Sequence, residues 1–363
     1  MTTTHPPEAT IGPGQRHRWL DRAGYLTAAW AGLYGVLALV WTLTGRGYPF
    51  GANNTNGELN LLRLLPTDVG APAFAGFSLL TAVVALAMSG THAVRLRGLP
   101  GELLAAYGWL SAALLVLVVP DVKVLTLTGY APMLILGAPF GWPPVDYADV
   151  FTWTLFNQLF CALGGVLVAG TVLTWQRRTA DSCVGCGRGD RPATWTSAAS
   201  AARWGRWAAY VAAVIPVLYA LTRFAWLAGI PLGLSEQTLQ DLRDNNAVWA
   251  GFGLGAFAVV GAVLTLGLVR RWGEVFPRWM VGLAGRRVPI SLAVVPATFV
   301  ALAVAAASIG FFGSPRFLGL MGDLNAAAAP MLLWPVWAVA LGAATLAYYL
   351  RRRGRCARCL RTD

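Results

Sequence analysis

The sequence predicts an all-α polytopic membrane protein, eight transmembrane helices arranged as two parallel four-helix repeats, and three observations predict it. The 363 residues are 56% hydrophobic and only 12% charged, with a mean hydropathy of +0.57. That leaves too little polar surface to cover a water-soluble globule of this length. Apolar runs of about 18 residues or more, each able to cross a hydrocarbon core of roughly 30 Å as a helix, recur along the whole chain. The order of motifs in the first half then returns in the second.

The runs fall at 22–44, 72–94, 103–128, 151–174, 207–229, 247–269, 289–312 and 328–350. The first is expected to be a true span. Some twenty residues precede it, and no small-residue cleavage site follows its apolar part. The basic residues set the orientation. With the amino terminus inside, only Arg46, Arg63, Lys123, Arg223, Arg243 and Arg316 of the 28 Lys and Arg residues fall outside or near outer span ends. Arginines mark every inner segment, so both termini are expected in the cytoplasm and the protein in the cell membrane. The net charge of +12 is thus a topological signal. No compact basic domain with interleaved aromatics is present to bind nucleic acid. The chain divides into a cytoplasmic tail (1–21), a first membrane repeat (22–175), a cytoplasmic linker (176–205), a second membrane repeat (206–350) and a cytoplasmic tail (351–363).

The repeat is read from ordered matches. "AGLYGVLALVWTLTGRGYPFG" from Ala31 aligns without gaps on "AVIPVLYALTRFAWLAGIPLG" from Ala213, and Gly47-Tyr-Pro-Phe-Gly51 matches Gly229-Ile-Pro-Leu-Gly233. Phe74-Ala-Gly-Phe77 is similar to Trp249-Ala-Gly-Phe252, and Ala162-Leu-Gly164 to Ala340-Leu-Gly342. Each half has an even number of spans, so the copies share one orientation and are expected to be related by an axis along the membrane normal.

Both halves end in arginines followed by Cys-x-x-Cys: Cys183 with Cys186, and Cys356 with Cys359. Both pairs fall on the expected cytoplasmic side, where thiols stay reduced. Two-residue spacing lets both thiolates of a knuckle face one tetrahedral ion, and two knuckles complete a four-cysteine zinc shell. Duplication explains how pairs four spans apart could meet, since equivalent ends of the halves lie at equivalent places on the inner face. The same thiols also fit two separate dithiol relays, a labile metal sensor or an iron centre of rubredoxin type. Cys161, inside a span, is expected to be a packing residue.

Ionisable groups within spans are costly and are site candidates by default. Arg223 is aligned with Trp41 of the first half, so the repeat loses symmetry at a charge. It either lines a cavity or snorkels to the interface. Asp121 and Lys123 follow Pro120 near an outer span end, and Asn157 and Gln158 lie in the fourth span as candidates for interhelical hydrogen bonding or ligand contact. The outer segment 124–147 is apolar yet interrupted by Gly and Pro, which suits a re-entrant hairpin or a lid; its second-half equivalent, "FFGSPRFLGLMGDLN" from Phe311, is shorter. Together these observations predict an outward-opening pocket lined by Trp41, Arg223, Asp121 and the 124–147 segment, with Asn157 and Gln158 as further ligand-binding candidates.

The chain has three histidines, and no G-x-x-x-x-G-K-[ST] or H-E-x-x-H motif, which disfavours a histidine-based membrane metalloenzyme or a P-loop motor. The segments "LGLVRRWGEVFPRWMVGLAGRRVP" and "TRFAWLAGIPLG" resemble an uncharacterised family of multi-pass membrane proteins from high-GC actinobacteria. One lysine against twenty-seven arginines suits such a genome. The resemblance implies a multi-span cell-membrane protein and brings no catalytic residue or substrate with it. The expected function is non-enzymatic: binding or moving a small amphipathic or lipophilic ligand, as a permease-like, export or self-protection protein. The alternatives are a membrane-embedded enzyme on a lipid or isoprenoid, with Arg223 holding an anionic headgroup and Asp121 as acid or base, and a zinc- or redox-responsive scaffold.

Overall fold

The computed structural model describes residues 18–54, 59–90, 98–140, 146–189, 194–314 and 329–361. The amino-terminal tail to residue 17, and most of the segment following Phe311, lie outside the described residues. Among those described, the chain is helical: α1 (Arg18–Thr44), α2 (Thr67–Ser89), α3 (Leu99–Ala113), α4 (Val122–Gly137), α5 (Tyr147–Val150), α6 (Trp153–Thr179), α7 (Ala198–Leu227), α8 (Glu236–Asp244), α9 (Ala247–Gly267), α10 (Ile290–Phe312) and α11 (Trp334–Arg352). Eight helices are long and apolar enough to cross a membrane. Their outward faces carry bare apolar side chains such as Leu33, Leu43, Leu110 and Val339, an arrangement that suits lipid rather than water.

Local chemistry sets the helix ends. Thr152, Ser197 and Ser235 accept from the backbone N–H of Leu155, Ser200 and Thr238, capping α6, α7 and α8. Pro216 and Pro296 sit inside α7 and α10, which membrane helices tolerate because neighbouring groups satisfy the freed backbone.

The helices pack in the same pairwise pattern in each half. In the first, α1 lies against α2 and α6, and α3 against α6; in the second, α7 lies against α9 and α11, and α10 against α11. The first half is filled by an aromatic cluster. Tyr34 stacks on Trp30 at 5.6 Å, meets Trp41 edge-on at 5.6 Å and donates its hydroxyl to Asn157 Oδ1 at 3.2 Å.

The third span departs from expectation. The apolar run 103–128 predicts one helix, but α3 passes into a π turn over Leu114–Val118 and stops. Pro120 supplies no N–H to continue the ladder, and Asp121 begins α4 by accepting from the Lys123 N–H at 2.9 Å. The outer segment that follows, within its described residues to Phe140, has a bend of the kind that a broken span or a re-entrant segment makes. It is a bent helix whose parts, Val122–Ala131 and Met133–Phe140, meet at 48°. Val124 and Leu125 pack with Leu155 of α6 and with Ala303 and Val304 of α10, so the start of α4 lies in the seam between the halves, whereas Ile135, Leu136 and Phe140 farther along are exposed.

Tyr34 tests this packing, because its ring is 1% exposed and its hydroxyl donates to Asn157 beside the Cys161 thiol. Tyr34→Ala is expected to lower stability by roughly 3–5 kcal/mol and Tyr34→Phe by about 1 kcal/mol, measured by denaturant titration of the detergent-solubilised protein. Equal losses would place the contribution in the hydroxyl instead of the ring cluster.

Candidate metal centre and buried polar sites

The carboxy-terminal ends of α6 and α11 carry the two Cys-x-x-Cys pairs to one place. Cys183 Sγ lies 3.9 Å from Cys356 Sγ, and Cys186 Sγ 3.6 Å from Cys359 Sγ. All four sulfurs fall within 4.8 Å of one another. A tetrahedral ion with metal–sulfur bonds of about 2.3 Å sets its sulfurs roughly 3.8 Å apart, so the cluster has the dimensions of a four-thiolate metal shell. The cysteines are unpaired as disulfides.

The two knuckles have the same backbone. Cys183 N–H donates to Arg188 O at 3.0 Å and Gly187 N–H to Cys183 O at 2.7 Å; Cys356 N–H donates to Arg361 O at 3.0 Å and Leu360 N–H to Cys356 O at 2.9 Å. The residue after the second cysteine is left-handed in both, Gly187 at φ +74° and Leu360 at φ +59°. Glycine adopts that conformation freely, whereas leucine does so at a cost of about 1–2 kcal/mol, which the surrounding contacts must offset. Burial raises the thiols, but backbone N–H groups of Cys359 and Arg358 aimed at Cys356, together with its thiol neighbours, bring it down to about 6. Cys186 is pushed up to about 12 by burial and by the neighbouring thiols. Backbone donors turned toward sulfur are what a thiolate needs, and thiolate is the form that ligates metal.

Arginines knit the knuckles together. Arg188 donates to Gly354 O at 3.2 Å, Arg361 O at 2.9 Å and Arg353 O at 3.0 Å. Arg353 returns to Cys186 O at 3.3 Å, and Arg177 reaches Val184 O at 2.8 Å. A shell of four thiolates around a divalent ion carries two negative charges, which this guanidinium surround offsets. On the same side, Arg351 pairs with Glu274 at 2.9 Å and Tyr348 donates to Gly273 O at 2.7 Å. These contacts tie α11 to the turn-rich α9–α10 connection.

The remaining sequence candidates divide into four places at the opposite end of the bundle. Asp121 is 1% exposed. Its Oδ2 accepts from Gln158 Nε2 at 2.8 Å, Asn54 Nδ2 at 3.2 Å and Asn60 Nδ2 at 3.4 Å. Asn157 is separate: it accepts from Tyr34 and donates to Trp153 O at 2.8 Å. Trp41 is buried between Tyr34 and Tyr48, and one edge of it lines a cavity of about 360 Å³ with Thr42, Gly45, Thr67, Asp68 and Pro72.

Arg223 lies in the other half and is 9% exposed, so it does not snorkel clear of the bundle. Its guanidinium carbon sits 4.5 Å from the Tyr219 ring centre and 4.0 Å from that of Trp226. These residues, four before and three after, share its helix face. Gly251 and Gly255 of α9 make the room: a Cβ on Gly255 would stand 3.2 Å from Arg223 Cβ, and one on Gly251 3.6 Å from Cδ. Tyr130 of α4 is an electrostatic neighbour. Arg223 Nη1 is buried with no hydrogen-bond partner among the described residues.

The single pocket expected to join Trp41, Arg223 and Asp121 is therefore not assembled. Neither Arg223 nor Asp121 lines the cavity beside Trp41, and the partners of Asp121 do not include Arg223. Sequence reading missed Asn54 and Asn60, loop amides with no periodic signal. It also missed the aromatic pair around Arg223, although the spacing of Tyr219, Arg223 and Trp226 is legible in the sequence. Comparison with protein-family models, with curated proteins and with solved structures finds no match to the chain, and the actinobacterial resemblance rests on its quoted segments alone.

Proposed function

We propose that the chain is a cell-membrane protein of two parallel repeats, both termini cytoplasmic, closed beneath the membrane by one structural zinc ion, and that its outer half binds an anionic amphiphile at Arg223 without catalysing a reaction. The repeat is supported by the common packing pattern of the halves and by knuckles whose matching hydrogen bonds recur in the same order. Zinc is favoured by four thiolates at tetrahedral spacing with no open position, the arrangement of structural zinc sites. The orientation follows from the arginine-rich segments that gather at the cysteine end.

The observation that carries the ligand assignment is the unpartnered, stacked guanidinium of Arg223. A buried cation without a counter-charge is strongly unfavourable. Two rings cover its faces and leave the in-plane N–H groups to meet an anion, and planar pairs of N–H donors fit carboxylate and phosphate oxygens. A ligand reaching this depth needs an apolar portion beside its charge, hence an amphiphile. Binding is favoured over catalysis because Asp121, the acid or base that the sequence offers for the enzymatic alternative, is engaged in a different cluster.

The zinc assignment is tested by elemental analysis of purified protein. One zinc per chain is expected, lost in Cys356→Ser/Cys359→Ser; four titratable thiols without metal would return the pairs to the dithiol reading.

The ligand assignment is tested with a short-chain phosphatidic acid, binding being followed by tryptophan fluorescence, with inorganic phosphate as a parallel probe. Saturable binding of the lipid is expected to weaken about 10- to 100-fold in Arg223→Ala, the loss of a charged hydrogen-bonding partner, and less in Arg223→Lys. Binding of phosphate as tightly as the lipid would make the ligand a free anion. Unchanged lipid binding in Arg223→Ala would remove Arg223 from the site.

A further inference from the structure

We propose that Asp121, Asn54 and Gln158 form a binding site for a dehydrated sodium ion within the bundle, at the break between α3 and α4. The site shares no residue with the Arg223 site and does not depend on it.

The starting point is an imbalance among buried atoms. Asp121 is a carboxylate with no cationic side chain in contact among the described residues; its partners are three carboxamides and the Lys123 backbone N–H. Asn60 is fixed in orientation, because its Oδ1 accepts from Leu62 N–H at 2.7 Å and its amide nitrogen also reaches Val119 O at 3.3 Å. Asn54 and Gln158 are not. Gln158 is 0% and Asn54 7% exposed, yet Gln158 Oε1 and Asn54 Oδ1 have no donor. Two orphan acceptors beside one buried carboxylate are costly without a positive partner.

A half-turn of each amide, which exchanges atoms of nearly equal size, would turn both orphan oxygens toward the carboxylate, an arrangement that requires a cation. It would bring Gln158 Oε1 and Asn54 Oδ1 to the positions now 2.8 and 3.2 Å from Asp121 Oδ2. Three oxygens that close repel one another unless an ion lies between them. With a cation in place they become ligands, and a small relaxation gives the separation of roughly 3.3–3.7 Å expected of adjacent oxygens at metal–oxygen distances near 2.3–2.6 Å. Among the described residues a single carboxylate, Asp121, faces the site and balances one positive charge, which favours a monovalent ion; calcium sites recruit six to eight oxygens and usually several carboxylates. Protonation of Asp121 would supply one O–H and leave one of the two amide oxygens without a donor.

The backbone fits the same reading. Discontinuous membrane helices commonly hold cations where unwound segments line a cavity, and π turns inside helices often mark functional sites. Here the π turn Leu114–Val118, Pro120 and the new start at Asp121 place a break in the span beside the one carboxylate that the described residues contribute to this cluster.

The test is thermal unfolding of the full-length protein in detergent, in sodium chloride against choline chloride at equal ionic strength, with potassium and calcium chloride as further arms. Sodium is expected to raise the wild-type Tm saturably by a few degrees over choline, as mass action requires for a ligand of the native state. Asp121→Asn should abolish that rise, while its retained side-chain oxygen still caps α4. Gln158→Leu, which leaves the carboxylate and the cap in place, should weaken the sodium dependence without removing the fold. A wild-type Tm equal in sodium and choline overturns the proposal. So does a sodium-dependent rise that persists in Asp121→Asn, a rise produced by calcium alone, or a Tm that responds to pH and not to sodium.

Discussion

Polar groups between the ends of these helices have no water to turn to, and this requirement governs where the fold is regular and where it breaks. Most of the chain meets it by forming unbroken helices, in which each backbone group pairs within its own segment. At Val119–Asp121 the ladder fails, and side chains from two other parts of the chain converge on the break: Asn54 and Asn60 from the α1–α2 connection, Asn60 also reaching Val119 O, and Gln158 from α6. The break is thus a point where the first half is locked together. Arg223 answers the same requirement differently. Two aromatic rings lie close to its guanidinium, and its Nη1 has no partner among the described residues, so there it is aromatic rings that cover the charge.

At the other end of the bundle the linking force is of another kind. The ends of α6 and α11 arise from distant parts of the chain, and the four cysteines bring them within a few ångströms. Each knuckle alone offers two thiolates, half a tetrahedral shell, so the shell requires both halves at once. The arginine that follows the first knuckle, Arg188, donates to three carbonyls of the second. A change in the spacing of α6 and α11 would therefore strain the knuckles, and a change at the knuckles would act on the two helices that pack against α1 and α7.

How much of this was legible in the sequence depends on the length scale of the signal. Spans are read from averages over about 20 residues, and all eight helices fall where the apolar runs place them. The same averaging hid the end of α3, because Val118, Val119, Val122 and Val124 keep the window apolar across Pro120. The metal centre was legible because a knuckle is set by spacing within one short segment. The buried sites were not, since they depend on which helices adjoin. Trp41 packs in the aromatic cluster around Tyr34 and Arg223 against α9, and neither neighbourhood is written in the alignment of their segments.

The element that breaks the likeness of the halves is α4. It has no counterpart among the described residues of the second half, and it lies in the seam against α10 while touching α6 and α9. Its first residue follows the Asp121 cluster, and Tyr130, near its middle, neighbours Arg223. About nine residues of helix, roughly 13 Å at 1.5 Å per residue, separate the two. One stretch of helix therefore joins the cap at Asp121 to the residue that has Arg223 as an electrostatic neighbour, so both buried polar sites border the element that packs in the seam against α10.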